Sequence, residues 1–116
     1  MPNEQLADRR CLPCNGETPA VPEAEWPGLV TELESWTIED RVLTRTVDLH
    51  DFAAAVDLIN RIAPEAERAG HHPDLHVSYG NLRIALTTHA IHDLSDNDFI
   101  LAARINRLID GPRARP

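Results

Sequence analysis

Five of the six histidines in this 116-residue chain fall between positions 71 and 92. An imidazole titrates near pH 6.5, so it can give or take a proton at neutral pH. A cluster of such groups is the raw material for general acid–base catalysis. His71 and His72 stand as a pair after Gly70 and before Pro73. Pro73 biases His72 towards an extended conformation, and successive residues of an extended segment point to opposite sides. The two rings can therefore reach different parts of one pocket. Glu67 lies one helical turn before His71, and His89 follows a long β-type run. His71, His72 and His89 can therefore converge on one pocket, with Glu67 approaching the same place. Blander readings stand beside this one. A His-His pair in a loop is often simply solvated, and a strand-end histidine is often exposed or a satisfied hydrogen-bonder. His76 and His92 carry no signal of their own and read as surface or structural groups. A metal site is the sharper rival, because His72, Asp74 and His76 supply nitrogen and oxygen donors in one short run. Neither H-E-x-x-H nor paired Cys/His spacing is present, so no metal is assigned.

The elements that position these residues follow from pattern. Residues 1–21 read as an arm broken by Pro13, Gly16 and Pro19. A first helix covers about residues 23–34, with Trp26, Leu29, Val30 and Leu33 on one face. Pro27 suits only its first turn. Residues 36–39 and 41–47 are rich in β-branched side chains and predict two strands. A second helix is expected over residues 49–69, with Asp48 as N-cap, Asp51 in its first turn, and Val47 and Phe52 as a hydrophobic staple. Its apolar stripe is Phe52, Val56, Ile59, Ala63 and Ala66. Pro64 predicts a kink, and Gly70 ends the helix. Residues 75–79 and 82–89 predict a hairpin turning at Gly80-Asn81. That hairpin returns His89 to the neighbourhood of His72 and Pro73. A third helix is expected from residue 96 to 110. Ser95 with Asp98 is its capping box, Leu94 with Phe99 a second staple, and Gly111-Pro112 its stop. The order is α-β-β-α-β-β-α, an α+β two-layer sandwich with a four-stranded antiparallel sheet and three helices on one face. One domain is expected over residues 1–116, with a short tail at 112–116.

Bulk properties narrow the function classes. The formal net charge of −8 argues against nucleic acid as a general partner. The run Arg113-Ala114-Arg115 is too short to change that. No apolar stretch approaches the roughly 18 residues a membrane span needs, and the first ten residues carry no signal-peptide core. A cytoplasmic location is the expectation. Cys11 and Cys14 form one C-L-P-C motif. Two thiols fall short of the four ligands of a structural zinc, and a redox motif should sit near a βαβ unit. A reduced pair packed in an N-terminal turn is the plain reading, with metal or redox use as alternatives.

Several unlike residue types then recur at fixed spacing. Glu67-x-x-x-His71-His72-Pro73, Tyr79, and the run T-T-H-x-x-x-x-L-S-x-x-D from Thr87 to Asp98 together resemble the signature of the pterin-4a-carbinolamine dehydratases. Trp36, Asp51-Phe52 and the opening C-L-P-C-N-G-E-T-P-A are similar to that family too. The resemblance implies the same fold, and a homodimer or homotetramer. It implies a hydro-lyase that dehydrates 4a-hydroxytetrahydropterin (4a-hydroxytetrahydrobiopterin) to the quinonoid dihydropterin with no cofactor. That step recycles pterin behind an aromatic amino acid hydroxylase. Carried over position by position, the resemblance implies His71, His72 and His89 as catalytic residues, with Glu67 and His72 as substrate contacts. Asp98 matches as well, and its place in the capping box points to a structural role. Leu75 departs from the family, where an aromatic residue is common. The reading from another class is a non-catalytic protein-binding or assembly module on the same fold. The presence of all three histidines favours catalysis.

Overall fold

A computed structural model describes residues 6–11 and 15–111. Cys14 and the whole expected tail at 112–116, with its Arg113–Arg115 run, lie outside the described residues. Three helices, α1 (Trp26–Leu33), α2 (Phe52–Ala69) and α3 (Asp96–Asp110), accompany four strands. The strands are β1 (Thr37–Glu39), β2 (Val42–Asp48), β3 (Asp74–Ser78) and β4 (Asn81–Leu86). They form one antiparallel sheet in the order β1-β2-β4-β3. The expected element order and α+β class are borne out.

Strand alternation separates the two faces of the sheet. Leu43, Val47, Leu82, Ile84 and Leu86 are buried in the core with Leu58 and Ile62 of α2 and Phe99, Leu101 and Ile105 of α3. Register pairs Thr44 with Ala85, Thr46 with Arg83, and Asp74 with Ala85 on the other face. The N-terminal arm is less detached than expected. A 3-10 turn at Leu6–Asp8 packs on α3, Leu6 is in the core, and Arg104 Nε donates to the Ala7 carbonyl at 3.0 Å. Burying Leu6 outweighs ordering a short arm because α3 offers an apolar side for it.

Several boundaries move. Residues 23–25 form a 3-10 turn, so α1 starts at Trp26, with Pro27 in its first turn where its missing N–H costs nothing. The N-cap of α2 is Asp51, not Asp48, and its carboxylate accepts the Ala54 N–H at 2.8 Å. The buried face of α2 is Ala55, Leu58, Ile62 and Ala66. Of the expected stripe, only Ala66 belongs to it. Phe52 is 58 % and Val56 38 % exposed, so Phe52 makes no buried staple. The helix carries two apolar stripes, and the sheet chose the one the sequence reading passed over. Helix α2 runs on past Pro64 to Ala69.

The β3–β4 turn is Tyr79-Gly80, one residue earlier than expected, because Ser78 pairs with Asn81. Tyr79 takes φ 58° there. Glycine is needed at position 80 for room: a Cβ would stand 2.7 Å from the Leu49 carbonyl oxygen. Strand β4 stops at Leu86. Thr88 and Asp93 form an isolated bridge, and a 3-10 turn at His89–Ile91 occupies the loop between them. The Ser95–Asp98 capping box is present, and Leu94 and Phe99 are both fully buried.

Candidate functional site

Helix α2 ends with Gly70 at φ 64°. The Gly70 N–H donates to the Glu67 carbonyl and the His71 N–H to the Ala66 carbonyl, both at 3.2 Å. This is the double-bonded helix stop that glycine permits. It pins the backbone of His71 to the end of α2. Pro73 follows at once, and β3 starts at Asp74. The His71-His72 pair is thus held between a capped helix and a paired strand.

Each candidate histidine meets its own carboxylate. His71 is buried, and its Nε2 lies 2.5 Å from Asp98 Oδ1 at the N-terminus of α3. His72 is exposed, with Nε2 2.7 Å from Glu67 Oε2. His89 is also exposed, with Nε2 3.8 Å from Asp74 Oδ2, an ion-pair separation longer than a hydrogen bond. His89 does return beside the Pro73 segment as the hairpin predicted. It does so on the 3-10 turn and not at the end of a strand.

Asp98 is the most connected of the three carboxylates. It is completely buried. Its Oδ2 accepts from the Thr88 hydroxyl at 2.7 Å and from the Ser95 N–H at 2.9 Å, while Oδ1 faces His71. His71 Nε2 is placed to donate to Oδ1 wherever that ring nitrogen carries the proton. Its capping role is real, but it also holds a histidine.

Glu67 and His72 line a shallow recess of about 150 Å³ with Ile59, Ala63, Pro73 and Leu75. Its wall is mostly apolar, with Glu67 and His72 as the polar side chains. His71 and His89 are not among its lining residues. On the far side of the His89 loop, Arg41 donates to both oxygens of Asp93 at 3.1 Å and to Glu23 at 2.7 Å. The hydrogen bond and charge of Asp93, then those of Glu23, hold the Arg41 guanidinium above its ordinary pKa. That permanent cation ties the loop to the β1–β2 turn, where Arg41 itself has φ 60°. Among the described residues, no group of three His, Cys, Asp or Glu side chains is placed to hold a metal ion. No helix among them is long and apolar enough to cross a membrane.

Sequence reasoning missed two members of this arrangement. Asp74 entered only as a rival metal ligand, and its partner is His89. Thr88 was read as a strand residue, and it is a buried donor to Asp98. The one available signal was adjacency, since Thr88 precedes His89 within the T-T-H run.

A family model described as pterin 4 alpha carbinolamine dehydratase matches residues 19–108. A protein of Nitrosomonas eutropha, provisionally named a pterin-4-alpha-carbinolamine dehydratase, is 38 % identical over 105 residues, covering 90 % of this chain and 93 % of its own length. A Rubrobacter xylanophilus protein with the same provisional name is 34 % identical, covering 90 % of this chain and 98 % of its own. A Brucella melitensis crystal structure described as a transcriptional coactivator/pterin dehydratase superposes with TM-score 0.74 at 25 % identity, covering 78 % of this chain and 98 % of that one.

Proposed function

The chain belongs to the pterin 4 alpha carbinolamine dehydratase family, and we propose that it dehydrates a 4a-hydroxytetrahydropterin to the quinonoid dihydropterin by histidine acid–base catalysis. The observation that carries this reading is the pairing of all three candidate histidines with carboxylates around one helix–strand junction. Expulsion of water breaks the C4a–O bond, with its electron pair leaving on oxygen. The leaving hydroxyl needs a proton, and a proton must leave a ring nitrogen as the C=N bond forms. His71 and His89 are assigned as the acid/base pair. His72 with Glu67 binds and orients the pterin against the apolar wall of the recess. General acid–base assistance of this kind is typically worth about 10²–10⁴-fold. No cofactor enters the scheme.

The enzyme is read as cytoplasmic, working behind an aromatic amino acid hydroxylase, and as a homodimer or homotetramer. Support for association is the exposed apolar stripe of α2, where Phe52 and Val56 face outward. The edge strand β3 is a second candidate contact. A non-catalytic binding or assembly role is the second reading, favoured by the coactivator half of the Brucella description. The deciding experiment follows the absorbance decay of freshly generated 4a-hydroxytetrahydropterin with and without protein. Acceleration by wild type that His71→Ala or His89→Ala abolishes supports catalysis. No acceleration by folded protein overturns it.

A further inference from the structure

Thr88 touches both halves of the candidate machinery. It is 1 % exposed. Its hydroxyl donates to Asp98 Oδ2 at 2.7 Å, and the Ser95 hydroxyl lies 2.7 Å from Thr88 Oγ1 itself. Thr88 has one hydroxyl proton, which goes to Asp98, so Ser95 donates to Thr88. The chain of donation runs from Ser95 through Thr88 to Asp98 and ends opposite His71 Nε2. The Thr88 backbone has a second task. Its N–H donates to the Asp93 carbonyl at 2.9 Å, closing the loop whose first turn residue is His89.

We propose that Thr88 is a positioning residue, whose hydroxyl fixes the Asp98 carboxylate so that Oδ1 holds His71 in its Nε2–H form. This rests on the dehydratase reading for its catalytic meaning, though not for its geometry. The terminal torsion of an aspartate is broad and roughly two-fold, so a carboxylate does not hold its orientation unaided. Helix capping asks only that Oδ2 accept the Ser95 N–H. With the Thr88 hydroxyl as a second donor on Oδ2, rotation about that torsion breaks two hydrogen bonds instead of one. The other oxygen is then committed to His71. Outer hydrogen bonds behind histidines at metal sites act in this way, fixing tautomer and ring orientation. The same residue sets the start of the His89 loop, so one buried side chain and its backbone register the proposed acid/base pair.

The test compares full-length wild type, Thr88→Val and Thr88→Ser. Thr88→Val keeps the β-branch and removes the donor. Thr88→Ser keeps the donor and removes the methyl. Nitrogen-15 NMR of the His71 ring in mildly alkaline buffer reports its tautomer without reference to activity. Wild type and Thr88→Ser are expected to show Nε2–H. Thr88→Val is expected to show a mixed population, and a kcat reduced on the order of 10–100-fold with KM little changed, the size of an outer-shell loss at a histidine. A wild-type ring protonated at Nδ1 alone overturns the proposal, even if Thr88→Val does not fold. So does a folded Thr88→Val that keeps the wild-type tautomer, or a Thr88→Ser that loses it. If wild type has the expected tautomers and no dehydratase activity, the positioning stands and the enzyme reading falls.

Discussion

His71 and His72 are adjacent in sequence, yet their pairs with Asp98 and Glu67 are opposite in environment. The first pair is buried, and Asp98 accepts from three separate segments. The second is open to solvent, with side chains 60 % and 75 % exposed. Water competes for every donor at the exposed pair, and exposed ion pairs contribute about 0–1 kcal/mol. Inside, a group deprived of its partner keeps the full desolvation penalty. One pair is therefore architecture, to which the proposed function adds chemistry. The other is adaptable surface suited to meeting a ligand.

Removing each side of this contrast should give different signatures. Asp98→Ala orphans the His71 ring, the Thr88 hydroxyl and the Ser95 N–H together. A loss of about 3–5 kcal/mol is expected, the size seen when one partner leaves a buried pair, measured by denaturant unfolding. A loss below about 1 kcal/mol would erase the distinction between the pairs. His89→Ala should leave stability within about 0.5 kcal/mol, as surface changes usually do, yet lower the dehydration rate about 10²–10⁴-fold. An unchanged rate would remove His89 from the acid/base pair. Glu67→Gln should change stability by less than about 1 kcal/mol and raise KM with kcat nearly constant, the mark of lost uniform binding. A large fall in kcat would instead give Glu67 a part in the chemistry. Asp74→Asn should have the smallest effect, because its oxygen stands 3.8 Å from His89 in open solvent. Unfolding and steady-state kinetics should both stay near wild type, and a strong kinetic defect would promote it beside Asp98.

The two hairpins show how far pattern reading carries. Both were legible as strand pairs, because alternating β-branched and apolar residues match the pleat. The first turn, Asp40-Arg41, also falls where the two expected strands meet, but the second is displaced. Gly80-Asn81 has the composition of a two-residue turn, but Leu49 packs so closely on Gly80 that the loop closes at Tyr79-Gly80. Asp40 and Arg41 have positive φ without glycine, and Arg41 is anchored there by Asp93 and Glu23. Long-range contacts decide such positions, and local composition does not report them. The stripe on α2 failed for a related reason. Phe52, Val56, Ile59 and Ala63 are as periodic as Ala55, Leu58, Ile62 and Ala66, and periodicity cannot say which set meets the sheet.

The sequence by itself determined the element order, the antiparallel class, the α3 capping box, the glycine stop of α2 and the return of His89 towards Pro73. Each depends on residues within one helical turn or one hairpin, where spacing fixes geometry. Only the tertiary structure decided which carboxylate each histidine would meet. Asp98 lies 27 positions from His71, and Thr88 lies 10 from Asp98. Three segments converge at the start of α3 because the core under Leu94 and Phe99 pulls them together. A side chain's partner across such a junction is set by packing, which no local pattern encodes.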